Sequence, residues 1–214
     1  MKQNLTDITV ILDRSGSMSS VKNDTIGGFN QFLADQKALP GEATITLAQF
    51  DDQFEFVYKS RNIKDAPQLT DTTFVPRGWT ALLDAIGFCI NDTGARLSNM
   101  AENDRPEKIV FLILTDGQEN KSREFTKAKI NEMITHQRDA YKWQFLFVGA
   151  NQDAIATGAD IGIAAAASMT FAATPKGTHE VFTALSSATA SYRSAPSSKT
   201  LAFTDEDRRK QKLA

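Results

Sequence analysis

The chain has 214 residues, 41% of them hydrophobic and 23% charged, with a formal net charge of -2. About 70% of the unfolded surface can be buried at this length, so one globular domain needs neither disulfides nor a structural zinc. One cysteine and two histidines exclude an intrachain disulfide and a His/Cys zinc cluster, and the charge balance gives no reason to expect a nucleic-acid or membrane partner.

Asp7 interrupts the start before any apolar run of signal-peptide length develops, and nothing later approaches about 18 unbroken apolar residues. The expectation is a cytoplasmic protein. From Leu5 to Asp13 the residues Ile8, Val10, Ile11 and Leu12 form a nearly continuous apolar run, as in a strand buried on both faces. Helical spacing follows at Ile26, Phe29, Phe32 and Leu33, and Pro40-Gly41 ends it. Ala43–Phe50 and Gln53–Lys59 read as strands separated only by Asp51-Asp52, too short a link for a parallel crossover, so one of them runs antiparallel.

After an irregular stretch over 61–78, Leu82, Ala85, Ile86, Cys89 and Ile90 fall on one helical stripe, which makes Cys89 a small core residue rather than a nucleophile. Lys108–Thr115 is the most hydrophobic strand and is expected at the centre of the sheet. A helix over 123–138, a strand over 143–148, a short helix from Asp153, a strand over 168–171 and a helix over 178–192 complete the pattern. The alternation predicts an α/β fold: a doubly wound, mostly parallel sheet with one antiparallel edge strand and helices on both faces. Residues 1–195 form the domain. Pro196-Ser197-Ser198 opens a polar, loosely attached tail over 196–214, dispensable for folding, within which Thr204-Asp205-Glu206-Asp207 resembles a helix start.

In such a sheet the loops at the carboxyl ends of the strands carry function. The first strand runs into Asp13-Arg14-Ser15-Gly16-Ser17, the fourth ends at Thr115-Asp116-Gly117, and Arg77-Gly78-Trp79-Thr80-Ala81 precedes the second helix. These loops offer oxygen donors and neither sulfur nor imidazole. Asp13 and Asp116 with the hydroxyls of Ser15, Ser17 and Thr80 are a ligand set for a hard divalent cation, magnesium or manganese more readily than calcium. Two carboxylates offset the two charges of the ion and leave it electrophilic. One coordination position left to water would accept a carboxylate from another molecule.

These three segments, with Met18 after the first and Ala-Leu-Leu-Asp-Ala after Thr80, resemble the metal-ion-dependent adhesion site of a von Willebrand factor A domain. The resemblance covers residues 5 to about 193 and implies the Rossmann-like fold of that family. It also implies that Ser15, Ser17 and Thr80 reach a magnesium or manganese ion directly or nearly so, with Asp13 and Asp116 acting directly or through water. The family commonly has glycine immediately before this threonine, where this chain has Trp79. The indole is either a contact surface for a partner or a lid over the loop before it, and Arg14, inside the first motif, is the other expected partner contact.

The resemblance implies a binding module that recruits an acidic side chain of a protein partner, without turnover of its own, and it permits work inside a larger assembly, including one with a ring-forming ATPase. The alternative is a magnesium-dependent phosphotransferase or phosphatase with Asp13 as nucleophile. That chemistry needs a second acid two residues on, where Ser15 stands. Asp51-Asp52 is better explained as a turn than as a cation site, Glu119 as a solvated loop acid, and His136 and His179 as surface or structural residues. No phosphate-binding glycine motif occurs, since Gly27-Gly28 lies inside a helix.

Overall fold

The two most apolar runs of the chain become neighbouring central strands. In the computed structural model, which describes residues 1–196 and 199–214, β1 (Lys2–Asp13) and β4 (Pro106–Thr115) pair in parallel, from Ile8 opposite Val110 to Leu12 opposite Leu114. Every residue from Leu5 to Asp13 and from Lys108 to Thr115 is buried. That is the burial expected of strands covered on both faces. With β2 (Glu42–Phe50), β3 (Phe54–Asn62), β5 (Gln144–Gly149) and β6 (Ser168–Thr170) they form one sheet in the order β3-β2-β1-β4-β5-β6.

All pairings are parallel except β2 with β3, where Phe50 faces Phe54 across the three-residue loop Asp51-Asp52-Gln53. The expected antiparallel edge strand is therefore present, with a hairpin one residue longer than expected. The helices are α1 (Lys22–Ala38), α2 (Leu82–Ser98), α3 (Lys127–Tyr141), α4 (Ala154–Asp160), α5 (Pro175–Ser194) and α6 (Asp205–Lys212). α1 packs on α5 and α2 on α3. Cys89 lies on the buried stripe of α2, as its spacing predicted, and burial pushes its thiol well up. Among the described residues no helix is long and apolar enough to cross a membrane.

Two helix starts differ from the pattern of apolar residues. α3 begins at Lys127 rather than near Arg123, because the Asp84 carboxylate accepts the backbone N–H groups of Arg123, Glu124 and Phe125 and holds them in a loop. α5 begins three residues earlier than expected, with Thr174 capping Gly177 N and Pro175 at the first turn.

The expected loose tail is corrected by the packing of residues 199–214; its opening at Ser197-Ser198 lies outside the described residues. Leu201 and Phe203 are buried, and Phe203 N donates to Ala166 O at 2.9 Å. α6 carries the expected start as a capping box between Thr204 and Asp207. Arg208 donates to the carbonyls of Ser168, Ala165 and Ala166. Gln211 accepts from Ala172 N and donates to Gly177 O. A polar composition concealed a segment in which Leu201, Phe203, Arg208 and Gln211 are all used against the domain, while Leu213 is exposed.

Candidate metal centre

Strand order reverses between β1 and β4, and the loops after both strands meet there with the segment that precedes α2. Backbone hydrogen bonds fasten the segment before α2 to the loop after β1 and to the β2–β3 hairpin. Arg77 N donates to Arg14 O at 2.8 Å, Gly16 N to Gly78 O at 3.2 Å, and Ala81 N to Asp51 O at 2.9 Å. Gly78 has φ +67°, and a Cβ there would lie 2.3 Å from Asp52 Oδ1, so the turn before Thr80 demands glycine at this position. The glycine stands one residue ahead of Trp79.

All five expected ligands converge. Asp13 is fully buried; its Oδ1 accepts Ser15 N and its Oδ2 accepts the Thr115 hydroxyl, each at 2.6 Å. Ser15 Oγ lies 3.1 Å from Ser17 Oγ, which donates to Asp116 Oδ1 at 2.6 Å. Thr80 is buried, and a Cβ on Gly117 would lie 2.9 Å from its Oγ1, 3.6 Å from Ser17 Oγ and 3.7 Å from Ser15 Oγ. Three hydroxyls thus face one small volume that a single methyl group would fill. No group of three or more His, Cys, Asp or Glu suited to a metal occurs among the described residues, so any ion here would rely on hydroxyl oxygens.

The electrostatics of the site suit a positive charge. Burial pushes the Asp13 carboxyl up to about 6, against hydrogen bonds from Thr115 and Ser15 that lower it, and the charge of Asp116 adds to the rise. Burial also raises Asp116, opposed by the Ser17 hydroxyl. A divalent cation between them would reverse both shifts. The donor set therefore fits a hard cation in both chemistry and charge.

Side chains from later loops fix this arrangement. Asn120 exchanges two hydrogen bonds with Thr80: Thr80 N donates to Asn120 Oδ1 and Asn120 N to Thr80 O, both at 3.0 Å. Asn151 Nδ2 donates to Asp116 O at 3.0 Å and Gln152 Nε2 to Gly117 O at 2.9 Å. Asn151 and Gln152 are absent from the sequence expectation, and only their position after β5, at the same end of the sheet, signals them.

Arg14 is corrected from partner contact to buried scaffold. It is 5% exposed, its Nε donates to Asp51 Oδ2 at 2.9 Å, and its Nη1 is paired with Glu55. Asp51 also takes Arg77 Nε at 2.9 Å. Although burial alone would raise it, hydrogen bonds from Arg77 and Gln53 N and the charge of Arg14 hold the Asp51 carboxyl below the usual carboxylate range. Asp51 is thus a turn residue and an ion-pair hub. Glu119 is not solvated as expected: its oxygens accept Leu83 N, Lys121 N, Ser122 N and the Ser122 hydroxyl. Trp79 is 60% exposed, with Lys121 Nζ 5.8 Å from its ring centroid. His136 and His179 lie exposed on α3 and α5, away from the site.

Neither a protein-family model nor a curated protein sequence matches the chain. Solved structures do. Proximal thread matrix protein 1 from the mussel byssus superposes with TM-score 0.58 at 14% identity, over 87% of this chain and 46% of that one. A second structure of the mussel protein has a zinc-occupied MIDAS motif. The von Willebrand factor type A protein from Catenulispora acidiphila gives 0.54 at 14% identity, over 86% and 42% of the two chains. Manganese-loaded TRAP protein of Plasmodium vivax gives 0.50 at 13%, over 70% and 58%. The chain spans less than half the length of the mussel and Catenulispora proteins, and the likeness at these identities is one of fold.

Proposed function

We propose that this chain, which has the von Willebrand factor A fold, is a metal-dependent protein-binding module. The single observation that carries the reading is the convergence of Ser15, Ser17 and Thr80 hydroxyls with Asp13 and Asp116 at the point where strand order reverses. The three hydroxyls and Asp116 would hold magnesium or manganese, with Asp13 supplying the second negative charge. When bound, the ion supplies an electrophilic position that accepts a carboxylate of a partner protein. The zinc and manganese carried by the mussel and Plasmodium proteins support a divalent cation in this fold.

The chain's own residues orient the ligands and do no bond-making. Asp13 is fully buried with both oxygens engaged by Ser15 N and Thr115, which suits a charge held in place and not a nucleophile that must reach a phosphorus atom. This favours a binding module over the phosphotransferase reading. The partner is a protein with an accessible acidic side chain, in the cytoplasm on the support of the one-cysteine composition, and the module fits an assembly with further proteins, a ring-forming ATPase among them. Capture of partners from source lysate in magnesium, repeated with a chelator, tests the reading. The expected result is a set of proteins lost on chelation and lost with Asp116→Ala; capture indifferent to both would overturn it.

A further inference from the structure

Beside the metal site Glu119 and Asp84 are taken up by nearby donors, while Lys121 is half-buried and Arg123 and Glu124 are exposed. Glu119 is committed to four donors around Leu83 and Ser122, and Asp84 to the N–H groups of Arg123, Glu124 and Phe125. None of the ion pairs among the described residues involves Lys121 or Arg123. Lys121 follows Asn120, whose two hydrogen bonds clamp Thr80, and Trp79 precedes Thr80. The clamp therefore sets the exposed indole and the lysine side by side on the rim, with Nζ over the ring.

We infer that Trp79, Lys121 and Arg123 form a second recognition element beside the ion, which takes a further carboxylate of an acidic segment whose first carboxylate is on the metal. The inference rests on the metal-dependent reading above. Two observations select an acidic protein segment as the occupant. Among the described residues neither Lys121 nor Arg123 forms an ion pair, and an indole bearing a cation presents apolar area next to positive charge. An extended segment with a second acid a few residues from the first satisfies both.

The test uses the full chain in magnesium and dye-labelled synthetic peptides of glycine and serine carrying one glutamate, or two separated by zero to three residues. Anisotropy gives affinity. At least one two-acid peptide should bind about three- to fivefold tighter than the one-acid peptide, the range of an exposed ion pair, and the gain should shrink as salt rises. In the double variant Lys121→Gln, Arg123→Gln the gain should vanish while the one-acid peptide binds as before. A gain that survives the double variant, or no gain at any spacing, overturns the inference. Binding of all peptides unchanged by a chelator overturns the metal-dependent reading instead. A single-stranded DNA that binds better than every peptide and depends on the same two cations would show that the rim reads phosphate, and would overturn the acidic-segment assignment.

Discussion

The Ser17 hydroxyl donates to Asp116 Oδ1 at 2.6 Å across 99 positions of sequence. Two residues expected to ligate one ion thus already meet, and a cation held by both would replace this hydrogen bond with two bonds to itself. Magnesium or manganese should raise the melting temperature by about 5–10 °C at a hundredfold excess over Kd, from roughly 2.7 kcal/mol of linkage. Asp116→Ala and Ser17→Ala should remove most of the shift. Asp13→Ala is a poorer probe, because it also orphans Ser15 N and the Thr115 hydroxyl. Scanning fluorimetry of the three variants with and without the ion decides the matter; identical responses in wild type and Asp116→Ala would remove the metal assignment.

Gly117→Ala should act on the ion and little on the fold. The added methyl would lie 2.9 Å from Thr80 Oγ1 in the volume faced by all three hydroxyls. Calorimetric titration should show at least a tenfold loss of magnesium affinity, about 1.4 kcal/mol, with a circular dichroism spectrum like that of the wild type. Unchanged affinity would place the ion elsewhere.

Protons should compete with the ion. Burial raises Asp13 from 3.8 to about 6, so without metal the unfolded chain ionises this group at lower pH than the folded one does. Stability then falls as pH rises from about 4 to about 6 and is level above. Metal binding has the opposite sign, since the ion takes the ionised form: apparent magnesium affinity should be about tenfold weaker at pH 5 than at pH 8. Titrations at the two pH values measure this directly. Equal affinities would show that Asp13 does not contribute charge to the site.

Truncation after residue 198 should be costly. Leu201 and Phe203 are 2% and 7% exposed, and burial of two such side chains contributes about 3–6 kcal/mol. For a domain of this size the melting temperature should drop by about 10 °C or more, and Phe203→Ala should reproduce a large part of the drop. A truncated protein that melts like the full chain would show that the segment does not dock in solution.

The strands and the meeting of the five oxygen-bearing side chains were legible because both rest on local patterns: unbroken apolar runs, and short oxygen-rich motifs at their ends. What the sequence concealed depends on partners distant in the chain. Arg14 sits within the Asp-x-Ser-x-Ser motif and looks available, yet its counter-charge at Asp51 comes from the next hairpin, 37 positions away. Glu119 looks solvated until α2 brings the Leu83 N–H group to it. The start of α5 was expected at Thr178 because the apolar stripe begins just after it, although Thr174-Pro175 carries the cap; the delayed start of α3 depends on Asp84 from another helix. The docked segment 199–214 escaped because Leu201 and Phe203, with only Leu213 after them among polar residues, carry no periodicity.

The lateral borders of the sheet have a bearing on how any partner can approach. At one border, β6 is three residues long, and Arg208 and the Phe203 amide occupy carbonyls at and just before its start. At the other, the pairing of β3 with β2 shifts register on both sides of Leu47, Ser60 adopts φ +43°, and Lys59 and Arg61 add charge. Short, bulged or charged borders resist the addition of a foreign strand. Backbone-mediated strand addition, which reads little of a partner's side chains, is thereby discouraged at both flanks. Self-association into extended sheets is disfavoured by the same features.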